Sequence, residues 1–371
     1  MMQKQTHNNY DRTLLLVTML LLGIGLLMIF SAGFAIAKDV TEDPFYFLKR
    51  QALWIALGLA GMFCVSHFNY RIFKRLSFVI LLLNFVLLAL LFTGFGSTLG
   101  TEARRWLSFG GMILQPSEFS KLALVIFTAA YMSRRSHSIK NFWTSSIVPI
   151  VLVMITFVII QAQPDLGTAL VLLAGTAMVF IFAGMPLLQF TGVSLLFLPF
   201  LAYFLVTEEY RMQRIFSFRN PWAEPFGAGY HIIQSLFALG SGNIFGVGLG
   251  RSMQKQFYLP EPQNDFIFAV IGEELGFLGA TAVILLYLIF IWRGFMIAMK
   301  APDIFGSLLA AGITFMLAIQ TVVNIAAVTG SLPITGINLP LISAGGSSVF
   351  FSLIGIGILL NISKYSQQYA A

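Results

Sequence analysis

Cysteine is almost absent from this chain of 371 residues: there is one, Cys64, inside an apolar run. Intramolecular disulfides are therefore excluded, and a cysteine-built zinc site lacks its ligands. Charge is the second scarcity. Asp, Glu, Lys and Arg make up 10% of the residues against 58% hydrophobic ones, and the mean hydropathy is +0.85. A soluble protein of this length cannot bury so much apolar surface, but a bilayer can. The net charge of +7 comes from basic residues dispersed along the chain, not gathered in the single patch that nucleic acid requires. No internal repeat, low-complexity tract or soluble domain interrupts the pattern.

What is there is a succession of apolar stretches of membrane-spanning length, near 13–36, 51–67, 76–94, 117–133, 144–162, 166–184, 187–206, 275–297, 306–328 and 347–363. They predict an all-α polytopic membrane protein of about ten transmembrane helices. The first stretch ends in AIA, like a signal-peptidase site, yet its apolar core exceeds the ~7–15 residues of a signal peptide, so a retained first helix is expected. Lys and Arg set the orientation. Lys4, Arg12, Arg71, Lys74, Arg75, Arg134, Arg135, Lys140, Arg293, Lys300 and Lys364 share the side of the termini, against Lys38, Lys49, Arg50, Arg104 and Arg105 in the short loops opposite. Both termini are thus expected in the cytoplasm. Of the fifteen acidic residues only Asp11 and Asp303 fall on that side, so polar chemistry concentrates on the outer face. The one large insertion, 207–264, joins spans seven and eight on that face. Its glycine-rich ALGSGNIFGVGLG lies outside a strand–helix context, which excludes a nucleotide loop and predicts a flexible re-entrant segment.

Four motifs on that face bring charged residues close together. In QPSEFSKL (115–122), Pro116 and Ser117 suit a helix start, and Glu118 and Lys121 then stand three apart on one face, spaced to pair. The pair serves either as a structural device at the membrane edge or as part of a substrate site. In QAQPDLGT (161–168), Asp165 follows Pro164 between two spans and reads as a helix N-cap or as a carboxylate lining a polar cavity. The insertion carries Arg211, Arg214 and Arg219 among aromatics, ahead of an amphipathic GYHIIQSLFALG. Guanidinium groups clustered at a membrane surface match phosphate or pyrophosphate. In FYLPEPQNDFIFAVIGEELG, Pro260 and Pro262 forbid a helix until Asn264 or Asp265. Asp265 is then expected at a helix start, with Glu273 two turns on along nearly the same face and Glu274 offset by about 100°. Capping does not explain three carboxylates in an apolar segment, and intramembrane ionisable groups point to function. A last uncharged loop, GSLPITGINLPLISAGGSS (330–348), offers backbone donors and hydroxyls to a sugar or phosphate.

Together RRWLSFGGMILQPSEFSKL, QAQPDLGTAL, RNPWAEPFGAGYHIIQS, FYLPEPQNDFIFAVIGEELG and GINLPLISAGGSS resemble, in order and from the first span to about residue 363, the SEDS family of FtsW, RodA and SpoVE. NPWAEPFGAGY and FYLPEP are more similar to the FtsW and SpoVE branch. Two departures stand out: Ala344 replaces a tyrosine usual in the family, and Gln263-Asn264 replace a usual His-Thr. The resemblance implies one membrane domain over 1–371 and a peptidoglycan glycosyltransferase polymerising lipid II at the outer face of the bacterial cytoplasmic membrane. It also implies a class B penicillin-binding protein as partner; no cofactor is expected, with a divalent-cation effect left open. It maps the family's essential aspartate onto Asp265, the expected base. The candidate substrate-binding set is Glu118, Lys121, Arg105, Asp165, Arg211, Arg214, Gln234, Glu261, Ser343, Gly345, Gly346 and Ser347, with Glu273 and Glu274 shaping the helix and cavity behind Asp265. The alternatives are a lipid II flippase, which needs a polar path across the membrane, and a scaffold without chemistry, which needs no Asp265.

Overall fold

The computed structural model describes residues 10–98, 104–109 and 112–369. Lys4, used above for orientation, and Gly110 and Gly111 of the RRWLSFGGMILQPSEFSKL motif lie outside the described residues. The helices run α1 (Arg12–Thr41), α2 (Tyr46–His67), α3 (Arg71–Leu90), α4 (Pro116–Arg134), α5 (Phe142–Ser145), α6 (Ile147–Gln161), α7 (Leu166–Phe182), α8 (Leu187–Val206), α9 (Glu209–Arg219), α10 (Tyr230–Ser241), α11 (Ile267–Met299), α12 (Ile304–Val328) and α13 (Gly346–Tyr369). Helices α1, α2, α3, α8, α11, α12 and α13 are long and apolar enough to cross a membrane, and α6 and α7 are shorter apolar helices. With α4 they occupy the ten positions expected from hydropathy.

The helix starts follow from single residues. Asp11, Asp165 and Asp303 cap α1, α7 and α12, accepting from the backbone N–H of Leu14 at 2.9 Å, Thr168 at 3.1 Å and Gly306 at 2.8 Å. Pro116 sits in the first turn of α4, where a missing N–H costs nothing. Small residues then let the helices approach. A Cβ on Gly58 of α2 would lie 2.5 Å from Leu353, and one on Gly357 of α13 would lie 2.7 Å from the Met62 carbonyl. In this way α13 packs along α2, α12 lies against α7 and α11, and α3 lies against α4. Helix α8 has no buried residue and stands at the margin.

Two regions differ from the sequence expectation. Between α3 and α4 the chain forms a small antiparallel sheet, β1 (Gly96–Ser97), β2 (Trp106–Phe109) and β3 (Met112–Leu114), where no strand was expected. The glycine-rich stretch expected to be flexible is instead tied to α11. Val247 and Gly248 donate backbone N–H to the carbonyls of Glu273 (2.9 Å) and Glu274 (3.0 Å), while Phe277 donates to Asn243 at 2.9 Å. α11 admits these bonds because it breaks at Gly276 (φ 68°, ψ −168°). Gly246 (φ +80°) is required there: a Cβ would stand 2.1 Å from the Glu274 carbonyl oxygen. α10 is amphipathic as expected, burying Ile232, Ile233, Ser235 and Ala238 and exposing Phe237.

Candidate active site

At the end of the bundle where α4, α7, α11 and α13 begin, a cavity of about 500 Å³ opens among polar side chains. One wall is the segment leading into α11. Pro260 and Pro262 hold it out of a helix, and α11 starts at Ile267, two residues later than the sequence pattern predicts. This shift decides the status of Asp265. The position before the helix is Phe266, with no side-chain cap, so Asp265 does not cap α11. Its backbone is fixed by Asn324 of α12, whose Nδ2 donates to the carbonyls of Asp265 (2.8 Å) and Ile337 (2.7 Å). Its carboxylate lines the cavity and receives no hydrogen bond or ion pair among the described residues.

Burial raises the Asp265 pKa to about 6, and the negative charge of Glu261 adds to the effect. Arg214 opposes the rise, Asp165 adds to it and Arg105 opposes it. A half-buried, unpartnered carboxylate with its pKa near neutrality has the character of a general base.

The other candidates divide into cavity wall and support. Glu118, Glu261, Gly345, Gly346 and Ser347 line the cavity with Asp265, as do Arg105 and Asp165. Arg105 is also committed to the backbone: Nε and Nη2 donate to the carbonyls of Gln163 (2.8 Å) and Pro164 (2.7 Å). Asp165 combines both of its sequence readings. It caps α7, accepts from Gln115 Nε2 at 3.2 Å, and still faces the cavity. Arg214 donates to the Ile334 carbonyl at 3.2 Å.

Several expectations are corrected. Lys121 is buried behind Glu118, not on the cavity wall; its Nζ meets both Glu118 oxygens, at 3.0 and 2.9 Å, and Gln320 Oε1 at 2.9 Å. Arg211 turns inward to Tyr210 and the Phe204 carbonyl, because α9 folds back on the end of α8. Ser343 is a backbone tie, donating to the Asn264 carbonyl at 2.6 Å, and Gln234 on α10 lies off the cavity wall. Glu273 and Glu274 do not shape the Asp265 cavity. Glu273 accepts from the Ser252 hydroxyl and from Met253 N–H at 2.9 Å. Glu274 is ion-paired to Lys255 at 2.7 Å, and Ser31 of α1 donates to it at 2.7 and 2.8 Å. The loop after α10 folds back between α1 and α11, so these carboxylates anchor that loop. Ala344 and Gln263 meet in space: Ala344 N–H donates to the Gln263 carbonyl at 2.9 Å.

Sequence reasoning missed one whole wall. Phe47, Arg50, Gln51 and Trp54 of α2 line the cavity. They recur at i, i+3, i+4 and i+7, a polar and aromatic face on an otherwise apolar helix, so the signal was available. Gln51 Oε1 accepts from Gly345 N–H at 3.2 Å and holds the start of α13 in place. Gln320 and Asn338 gave no such signal, since each is a lone amide whose partners are remote in sequence. His231 of α10 stacks on Phe266 at 5.9 Å, and burial lowers its pKa.

Fold and site together define a polytopic helical membrane protein with a polar, carboxylate-bearing cavity at one end of the bundle. Residues 12–368 match the family model of the FtsW, RodA and SpoVE cell cycle proteins, and the chain belongs to that family. It is 43% identical to stage V sporulation protein E of Bacillus subtilis (strain 168), covering 96% of this chain and 98% of that one. It is 40% identical to the probable peptidoglycan glycosyltransferase FtsW of Geobacter sp. (strain M18), covering 95% and 96%. A solved structure described as "Structural coordination of polymerization and crosslinking by a peptidoglycan synthase complex" superposes with a TM-score of 0.77 at 27% identity, over 96% of this chain and 98% of that one.

Proposed function

We propose that the protein is a peptidoglycan glycosyltransferase that polymerises lipid II at the outer face of the bacterial cytoplasmic membrane, in septal wall synthesis. Its termini are cytoplasmic, and a class B penicillin-binding protein supplies crosslinking. The observation that carries the reading is the Asp265 carboxylate, open to a polar cavity and free of any partner among the described residues. Asp265 takes the proton from the 4-hydroxyl of one GlcNAc. That oxygen bonds to the anomeric carbon of the neighbouring MurNAc, and the bond to undecaprenyl pyrophosphate breaks. A base in this position contributes typically ~10²–10⁴-fold. Pyrophosphate leaves as an anion and needs no acid. Arg50 on the cavity wall and Arg214 beside it are the cations suited to its charge. Lys121 and Arg211, engaged elsewhere, are not. The name of the Geobacter relative supports the activity, and the synthase complex supports a partner.

A flippase is less well supported, because behind the cavity the Glu118–Lys121 pair is sealed by Gln320 and the apolar core of α12 and α13, and the polar wall stays at one end. Reconstitution with purified lipid II and no other glycosyltransferase separates the readings. Glycan strands support the proposal; translocation without strands identifies a flippase; neither product identifies a scaffold.

A further inference from the structure

Glu261 is the acidic neighbour of Asp265 that the reaction above leaves without a role. It stands at the cavity mouth, exposed, four residues before Asp265 and on the same wall. It is not a loose surface side chain. Pro260 and Pro262 flank it and fix their own backbone torsions, while Glu261 itself is left-handed (φ +49°), a conformation its side chain disfavours. Asn264 N–H closes the turn on the Glu261 carbonyl at 3.0 Å. One carboxylate oxygen, Oε2, is then clamped by two amides, Asn264 Nδ2 at 2.6 Å and Gln263 Nε2 at 3.3 Å. The other, Oε1, receives no protein donor among the described residues. The clamp is pinned from behind, because Ser343 Oγ donates to the Asn264 carbonyl and Ala344 N–H to the Gln263 carbonyl. Gln263, Asn264 and Ala344 thus form one connected support under Glu261.

We propose that Glu261 is a tuning carboxylate of this site, held by the Gln263–Asn264 amide clamp so that its charge sets how strongly Asp265 acts as a base. The inference rests on the glycosyltransferase reading above. A fixed negative charge beside a half-buried carboxylate favours the protonated form of the latter and makes it a better proton acceptor. Among the described residues the charged groups that share the cavity with Asp265 come from five elements, and α2 contributes Arg50 on the opposite wall. Glu261 comes from its own loop, Asp165 from the start of α7, Arg214 from α9 and Arg105 from the strand side. Across the cavity Glu118 is neutralised by Lys121. Of the α10 and α12 side chains packed nearby, His231 stacks on Phe266 and Asn324 bonds the Asp265 carbonyl. Asp165 caps a helix and Arg105 ties two carbonyls, so each is part of the framework. Among the described residues Glu261 bonds through its side chain only to its own turn, and its charge can be removed without dismantling a helix.

The test is an infrared titration of the substrate-free protein, with the Asp265 carboxyl band assigned as the one lost in Asp265→Asn, alongside the pH profile of lipid II polymerisation. Wild type should titrate at about 6. Glu261→Gln should titrate lower, by on the order of one pH unit. The acid limb of its polymerisation profile should move the same way, and its plateau rate should fall a few-fold because the base is weaker. Glu261→Asp should stay close to wild type. Asn264→Ala, which loosens the clamp and leaves the carboxylate, should move the midpoint in the same direction by a smaller step, and it carries the test if Glu261→Gln does not fold. An unmoved midpoint in either variant overturns the inference, as does a loss of rate that is uniform across pH. A shifted midpoint in a protein that makes no glycan strands sustains the tuning and refutes the glycosyltransferase reading.

Discussion

The Glu118–Lys121 pair allows a prediction whose size follows from the geometry. Lys121 is 3% exposed, and its ammonium has three acceptor atoms, two on Glu118 and one on Gln320. Gln320 is committed in turn, its Nε2 donating to the Asn338 carbonyl at 3.1 Å. Glu118 differs in one respect: it reaches the cavity wall, where water can solvate it. Removing one partner of a buried ion pair costs about 3–5 kcal/mol, chiefly because the other charge is left unpaired. Glu118→Ala strands an enclosed ammonium and should fall in that range, whereas Lys121→Met leaves a carboxylate that the cavity can hydrate and should cost about half as much. The double variant should be less destabilised than the sum of the singles by ~1–3 kcal/mol. Thermal unfolding of the detergent-solubilised protein, followed by tryptophan fluorescence for all four proteins, supplies the cycle. Equal losses in the two singles, or additivity within about 0.5 kcal/mol, would refute the assignment of Lys121 to the interior. In the charge swap Glu118→Lys with Lys121→Glu, the protein should fold but polymerise poorly, because a cation would then face the cavity that Asp265 lines.

Three further outcomes are expected. Asp265 titrates at about 6 when folded but near 3.9 in an unfolded chain, so its ionisation costs stability as pH rises through that window; Asp265→Asn should melt with wild type at about pH 4 and ~3–6 °C above it at about pH 8, and identical melting at both would contradict the raised pKa. Gly246→Ala combines a left-handed φ with a Cβ 2.1 Å from the Glu274 carbonyl oxygen, so it should lose at least ~2 kcal/mol and make the loop after α10 susceptible to proteolysis, while wild-type resistance would show that the loop is not locked to α11. Ala223→Cys in a Cys64→Ser background puts a thiol at an exposed loop position and should react with an impermeant reagent from outside intact cells whose outer membrane, where one is present, is permeabilised; labelling only from the cytoplasmic side would invert the orientation.

The helix positions were legible because the 3.6-residue, bilayer-length apolar pattern is local, as was the cap at Asp165. The register of α11 was not. Two prolines predict where a helix cannot be, but they did not reveal that Asn324, 59 positions away, would hold the Asp265 backbone out of the first turn. Carboxylates invited misreading for the same reason. Glu273 and Glu274 look like site residues in an apolar run, yet their partners Ser252, Lys255 and Ser31 come from a loop and a helix that only the tertiary fold brings together. Arg211 and Lys121 carry the charge expected of phosphate ligands, and only their contacts reveal that it is spent on Phe204, Tyr210, Glu118 and Gln320. Conversely, Arg50 and Gln51 were readable from the face they share on α2 but were overshadowed by the longer motifs.

The central claim is that the unpartnered Asp265 carboxylate performs the chemistry, and polymerisation of purified lipid II tests it most directly. The protein, purified with the proposed partner transpeptidase, should form glycan strands. Asp265→Ala should remain folded and partner-bound but lose activity by about 10²-fold or more. Strand formation by Asp265→Ala within a few-fold of wild type would contradict the account and remove Asp265 from the mechanism.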